Sequence, residues 1–139
     1  ASPATGRYRV LLVEDNAVNR MVAVSMLKQL SCSVDVAVDG IEGVAAAAAA
    51  RYDLILMDCQ MPRMDGFVAT STIRANETGA RVPIVALTAN ALKGDRERCL
   101  AVGMDDFLTK PIRKEVLAAA LERHVPLHPA ERPDLTQAE

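Results

Sequence analysis

Aromatic side chains are almost missing from this chain. Its 139 residues include no tryptophan, two tyrosines and two phenylalanines. Any core must therefore be filled by aliphatic side chains and alanine. Cysteine is sparse too: Cys32, Cys59 and Cys99 are odd in number, far apart and without a C-x-x-C pair. That pattern reads as reduced thiols in a cytosolic protein rather than a disulfide framework or a metal cluster. No apolar run approaches the ~18 residues of a membrane span. The net charge of −2 comes without a basic stripe of the kind that tracks nucleic-acid phosphates. Ala1 to Arg9 is short, polar and loop-like, unlike a secretory signal. The expectation is a cytoplasmic domain with neither nucleic acid nor membrane among its contacts.

What the chain does have is apolar residues, half of the total, arranged in short runs that end in polar ones. Asp53 to Gly66 shows this best. Leu54 to Met57 is a continuous apolar run, which suits a strand buried on both faces. It stops at Asp58, and Pro62 and Asp65-Gly66 follow as turn signals. Asp58 is thus expected where a buried strand meets a loop, the place where open parallel sheets bind ligands.

The rest of the chain repeats the pattern. Ala1 to Gly6 reads as a linker or cloning remnant. Val10 to Val13 is a strand ending in Glu14-Asp15. Asn16 caps a helix over 17–30, with Val22, Ala23, Met26, Leu27 and Leu30 as its core arc, Met21 and Val24 off it and Val18 at its edge. Ser33 to Val38 is a strand, Asp39-Gly40 a turn, and Ile41 to Ala50 a plain packed helix rich in alanine. Helices are expected over 67–76, 91–102 and 113–125, and strands at Pro83 to Leu87 and Asp106 to Leu108. Gly94 falls inside the fourth helix and should loosen it. Gly103 suits that helix's C-terminal cap. Pro126 to Glu139 reads as a disordered tail, which leaves residues 7–125 as the folded domain. Five strands alternating with five helices predict a doubly wound parallel sheet, α/β in class.

In such a sheet every strand's carboxyl end lies at one edge. Glu14 and Asp15 follow the first strand, Asp58 ends the third, Thr88 follows the fourth and Lys110 follows the fifth. These groups should converge on one crevice. Clustered carboxylates repel unless a cation sits among them, and hard oxygen ligands suit Mg²⁺. A lysine, a hydroxyl and a carboxylate beside that cation suit a phosphoryl group. Other phosphate chemistries lack their motifs: there is no G-x-x-x-x-G-K-[ST] and no G-x-G-x-x-G after a strand. A haloacid-dehalogenase-type phosphatase would want a second aspartate where Gln60 stands. His124 and His128 are expected to be solvated and away from the crevice.

These residues resemble the receiver domain of two-component response regulators. The likeness covers about Tyr8 to Val125. It rests on Val-Glu-Asp-Asn at 13–16, Asp-Cys-Gln-Met-Pro-Arg-Met-Asp-Gly at 58–66, Ala-Leu-Thr-Ala-Asn-Ala at 86–91 and Gly-Met-Asp-Asp-Phe-Leu-Thr-Lys-Pro-Ile at 103–112. The resemblance implies a flavodoxin-like five-stranded sheet of order 2-1-3-4-5. It implies Asp58 as phosphoacceptor. Mg²⁺ would be held by Asp15, Asp58 and the Gln60 backbone carbonyl, with Glu14 acting through water. Thr88 would be the switch hydroxyl, Phe107 the aromatic switch residue, and Lys110 the phosphoryl-pairing lysine before a cis Pro111. Gln60 and Asn90 would set the phosphoryl lifetime. The donor or acceptor is expected to be a histidine kinase core or a histidine phosphotransfer domain, and the domain itself would promote its own phosphotransfer and dephosphorylation.

Asp15-Asn16 with Asn19-Arg20, and Thr88-Ala89-Asn90-Ala91 with Cys99 and Gly103-Met104-Asp105, look like receivers of hybrid sensor histidine kinases. The linker-like start and the lack of an output module after Val125 fit that origin. A stand-alone single-domain regulator and a phosphorylation-independent pseudo-receiver are the alternatives. Departures from the family pattern are Ser31-Cys32 in place of a glycine-containing turn, Val68 in place of a frequent glutamate, and the plain run Ala45 to Ala50. Val18, Met21 and Val24 are apolar at or off the core arc of the first helix, and suit docking of the helix that carries the partner histidine.

Overall fold

The computed structural model describes residues 8–61, 63–77, 81–89 and 93–124. Ten elements alternate: β1 (Tyr8–Val13), α1 (Ala17–Gln29), β2 (Cys32–Ala37), α2 (Gly40–Ala49), β3 (Leu54–Asp58), α3 (Gly66–Asn76), β4 (Ile84–Thr88), α4 (Lys93–Ala101), β5 (Asp106–Thr109) and α5 (Lys114–His124). The strands form one parallel sheet in the order β2-β1-β3-β4-β5. This is the flavodoxin-like arrangement.

Successive side chains of a strand point to opposite faces, and the core divides accordingly. Val10, Leu12, Leu54, Leu56, Val85 and Leu87 face Ala23 and Leu27 of α1 and Leu117, Ala120 and Leu121 of α5. Leu11, Val13, Ile55, Met57, Ile84 and Ala86 face Ala69 and Ile73 of α3 and Cys99 of α4. Leu54 to Met57 is fully buried because β3 is covered on both faces. Burying each such side chain stabilises the fold by roughly 1.5–3 kcal/mol, so the strand that presents Asp58 is a rigid platform. In α2 the alanine run works as packing: Ala46 and Ala47 lie against the core, while Ala45, Ala48 and Ala49 are exposed.

Short polar side chains start the helices. Asn16, Asp39 and Asp65 accept from the backbone N–H three residues on, at 2.9–3.0 Å. Asp39-Gly40 and Asp65-Gly66, read as turns, are thus each a cap followed by the first helical residue. Gly103 ends α4 at φ 106°, with Met104 N–H donating to Cys99 O and Gly103 N–H to Leu100 O.

Several expectations need correction. The core arc of α1 does not include Val22, which is 47% exposed; Val24 packs against the core instead. The buried arc is centred between Ala23 and Leu27, and on the helical wheel Val24 lies nearer that centre than Val22 does. The β2 strand begins and ends one residue early because Tyr8 and Arg9 extend β1 and pair with Cys32 and Ser33. His124 is half-buried rather than solvated, its ring 2.9 Å from Asp106 Oδ2. His128, Asn90, the start of the fourth helix before Lys93 and the terminal segments 1–7 and 125–139 lie outside the described residues.

Candidate functional site

The polar residues that end the strands meet at one edge of the sheet. The order β1-β3-β4 puts the end of β3 between its two neighbours: Val13 pairs with Met57, and Asp58 with Leu87. One carboxylate oxygen from each of Glu14, Asp15 and Asp58 then lies within 4.8 Å of the others. Glu14 and Asp58 are buried, at 1% and 4% exposure, while Asp15 is open to solvent. Thr88, also buried, is one residue beyond the strand partner of Asp58.

Lys110 closes the cluster. The chain turns after β5 through a cis Lys110–Pro111 peptide, and Lys110 N–H donates to Thr88 O at 2.8 Å. Its Nζ lies 3.0 Å from Glu14 Oε1 and 3.1 Å from Asp58 Oδ2. The second Asp58 oxygen, Oδ1, accepts from the Gln60 backbone N–H at 3.1 Å. Glu14 Oε2 accepts from Asn16 N–H at 3.1 Å.

Burial pushes the Asp58 carboxyl up to about 6, with Glu14 adding to the rise and the Gln60 N–H and Lys110 opposing it. Burial also pulls on Lys110, but its bonds to Asp58 and Glu14 outweigh that and hold its pKa above the ordinary lysine value. Three carboxylates against one lysine leave the cluster short of positive charge. A hard dication fits that deficit, and a carboxylate set with an open side toward solvent is the donor chemistry Mg²⁺ takes. Asp15, Asp58 and Glu14 could hold it, with room for water at the exposed Asp15 side.

The loop after β3 forms one wall. Gly66 packs so tightly that a Cβ there would overlap the Asp58 carbonyl oxygen, and Gly66 N–H donates to Cys59 O at 3.0 Å. Farther along, the Arg63 guanidinium pairs with the buried Asp39 carboxylate at the start of α2. The Glu42 N–H at that cap, followed by Arg63, holds the Asp39 carboxyl below the usual carboxylate range.

The other residues singled out from sequence fall as follows. Phe107 is half-buried against the α3/α4 core, with Arg96 over its ring at 5.6 Å. The Gln60 side chain is exposed at the mouth. On α1, Val18 and Met21 are exposed at 65% and 68%, and Val22 joins them in place of the core-packed Val24.

Three features went unread in the sequence. Arg20 Nη1 donates to the carbonyls of both Glu14 and Asp15 at 3.0 Å; a cation near a helix N-terminus was the available signal. Cys59, next to Asp58, has its sulfur 3.9 Å from that of Cys99, both buried and neither in a disulfide; their separation of 40 residues gave no signal. Arg74 gathers Glu77, Val82 O, Gly103 O and Asp105 at 2.7–2.9 Å around the start of β4, away from the acids.

Comparison with known proteins agrees with this geometry. The family model for the response regulator receiver domain matches residues 10–122. The chain is 45% identical over 129 residues to hybrid signal transduction histidine kinase B of Dictyostelium discoideum, covering 84% of this chain and 7% of that protein. The curated relatives are far longer: the chain spans 16% of a probable histidine kinase of Oryza sativa subsp. indica. Among solved structures, the receiver domain of a Pseudomonas aeruginosa sensor histidine kinase is 53% identical, with a TM-score of 0.79 over 84% of this chain and 96% of that one. That structure has a magnesium ion coordinated in its active site cleft. The receiver domain of yeast Ssk1, solved with the histidine phosphotransfer protein Ypd1, is 31% identical with a TM-score of 0.80, covering 87% of this chain and 90% of that one.

Proposed function

The chain belongs to the response regulator receiver domain family of two-component phosphorelays, and from that premise we propose that Asp58 accepts a phosphoryl group from a phosphohistidine on a partner. The observation that carries the reading is the contact of Lys110 with both Glu14 and Asp58 inside a cluster of three carboxylates. A structural salt bridge would need one acid; here Lys110 bonds two, and the carboxylate of Asp15 lies within 4.8 Å of theirs.

Mg²⁺, when bound, supplies positive charge to the carboxylates and to the incoming phosphoryl oxygens. Asp15, Asp58 and the Gln60 backbone carbonyl would hold it directly, with Glu14 contributing through water. An Asp58 carboxylate oxygen forms the new O–P bond in line as the P–N bond to histidine breaks. The released histidine nitrogen takes back its electron pair. Lys110 neutralises one phosphoryl oxygen and is freed from Asp58 as it does so. Thr88 donates its hydroxyl to another oxygen, and Phe107 follows Thr88 inward toward the space beside β4. Gln60, exposed beside Asp58, governs water access to the phosphoryl group and so the lifetime of the acyl phosphate, and Asn90 shares that role by its place in the family's motif.

The partner is a histidine kinase core or a histidine phosphotransfer domain, docked on α1 through Val18, Met21 and Val22, with Val24 retained in the core. The parent is a hybrid sensor histidine kinase with this domain on the cytoplasmic side. A pseudo-receiver would be free to lose one of Asp15, Asp58, Thr88 or Lys110, and all are present.

The test is labelling with a small acyl-phosphate donor, with and without Mg²⁺. Label that requires Mg²⁺, is acid-stable and base-labile, and disappears in Asp58→Asn is the expected result. Full labelling of Asp58→Asn would overturn the assignment.

A further inference from the structure

Arg20 lies near the N-terminus of α1, the end at which a cation is disfavoured by the helix's unpaired N–H groups. No acidic residue in the first turn offsets it. Helix stability therefore does not explain an arginine here. Its side chain is half-buried, and one nitrogen, Nη1, donates to two successive carbonyls, those of Glu14 and Asp15.

Both carbonyls lie beyond regular structure. The pairing of β1 with β2 and β3 ends at Val13, and the last sheet-like bond is Glu14 N–H to Ala37 O at 3.0 Å. The two acids therefore sit on a short loop that the ladder no longer fixes. The loop leads into α1 through the helix's first backbone bond, Arg20 N–H to Asn16 O at 2.9 Å, and the Arg20 guanidinium reaches back from the helix to the carbonyls of residues 14 and 15. Asn16 in turn donates its N–H to Glu14 Oε2 and caps α1 through Asn19 N–H.

We infer that Arg20 is a positioning residue for the cation site, fixing the peptide planes from which Glu14 turns inward to Lys110 and Asp15 outward to the mouth. This rests on the reading of the three acids as a Mg²⁺ site. The role has a sign that separates it from plain electrostatics. As a charge, Arg20 repels a dication, so its removal would tighten binding. As a clamp, its removal loosens two ligand-bearing residues and weakens binding. The clamp dominates, because one guanidinium nitrogen holds the carbonyls of two successive acid-bearing residues in place. Mg²⁺ demands near-ideal octahedral placement of its ligands.

Mg²⁺ affinity of the unphosphorylated protein, measured by calorimetric or NMR titration, tests this in wild type, Arg20→Met, Arg20→Gln and Arg20→Lys, with Asp15→Asn as the reference loss. Thermal unfolding without metal is recorded for each. Arg20→Met and Arg20→Gln are expected to bind Mg²⁺ roughly tenfold more weakly, and Arg20→Lys to recover part of the loss. If Arg20→Met does not fold, Arg20→Gln carries the comparison. Unchanged or tighter binding in the neutral variants, beside a normal wild type and a defective Asp15→Asn, would overturn the positioning role alone. A wild type with no Mg²⁺ site would overturn the reading of the acids and this inference with it.

Discussion

Lys110 Nζ stands 3.1 Å from Asp58 Oδ2, joining the end of β5 to the end of β3 across the intervening β4. The same nitrogen touches Glu14, so one cation links the ends of three strands. Everything expected of the site depends on this link being strong enough to hold the acids together and weak enough to release Asp58.

Lys110→Met removes the one cation in contact with Asp58 among the described residues. The reaction places extra negative charge on the phosphoryl oxygens, where a positioned cation is worth about 10²–10³ in rate. Labelling of Asp58 by a small acyl phosphate is expected to slow by about that factor, with Mg²⁺ still required. A rate within twofold of wild type would remove Lys110 from the chemistry.

Asp58 should make the metal-free protein less stable as pH rises. Its carboxyl is raised to about 6 in the fold, against about 4 in an unfolded chain. Between those values the folded state binds more protons than the unfolded one, so stability falls as pH climbs through the window. Above it, ionised Asp58 is a standing cost to the fold. Asp58→Asn removes that cost and leaves Lys110 paired with Glu14. In chelator at pH 7.5, Asp58→Asn should therefore unfold at higher denaturant than wild type, with the gap closing toward pH 4.5. Added Mg²⁺ should raise wild type more than the mutant. An Asp58→Asn protein less stable than wild type at pH 7.5 would contradict the burial argument.

Much of this site is legible in sequence because of how a parallel sheet is built. Strands covered on both faces leave uninterrupted runs such as Leu54 to Met57, so the polar residue that stops each run marks the carboxyl edge. Glu14, Asp58, Thr88 and Lys110 stand out for that reason. What stays hidden depends on reach and rotation. Arg74 binds Asp105 from 31 residues away, and no local pattern records where a long side chain ends. Val22 and Val24 are chemically identical, and a small difference in rotation of α1 exposes one and packs the other, partly buried, against the core. The Cys59–Cys99 contact follows from the packing of α4 on the sheet, which spacing alone does not fix.

Ser31 is a point of strain that a single substitution should relieve. It follows α1 with φ 67°, its N–H donating to Lys28 O at 3.0 Å. A non-glycine residue in this left-handed region costs about 1–2 kcal/mol, and glycine is the usual occupant just past a helix end. Glycine gives back part of the gain through its greater freedom in the unfolded chain. Ser31→Gly is expected to stabilise by about 0.5–1 kcal/mol, or about 2–4 °C in Tm. Unchanged Mg²⁺ binding would show that the gain is local to the α1–β2 turn. A lower Tm would mean that the serine is held by contacts outweighing its backbone cost.

Met21 separates chemistry from docking. It is 68% exposed on α1 beside Val18 and Val22, and these side chains lie on the helix that begins directly after Glu14 and Asp15. A partner helix laid on them would have its histidine within reach of the acid cluster. Met21→Asp puts a charge in that apolar contact without touching a residue of the cluster. Loss of one such anchor at an interface centre costs ~2 kcal/mol or more, which is about thirtyfold in affinity. Phosphotransfer from a histidine phosphotransfer domain is expected to fall accordingly at subsaturating concentrations. Labelling by a small acyl phosphate should be unchanged, because that donor needs no helix docking. Equal losses with both donors would place Met21 in the fold rather than at the interface, and no loss with either would move the docking face off α1.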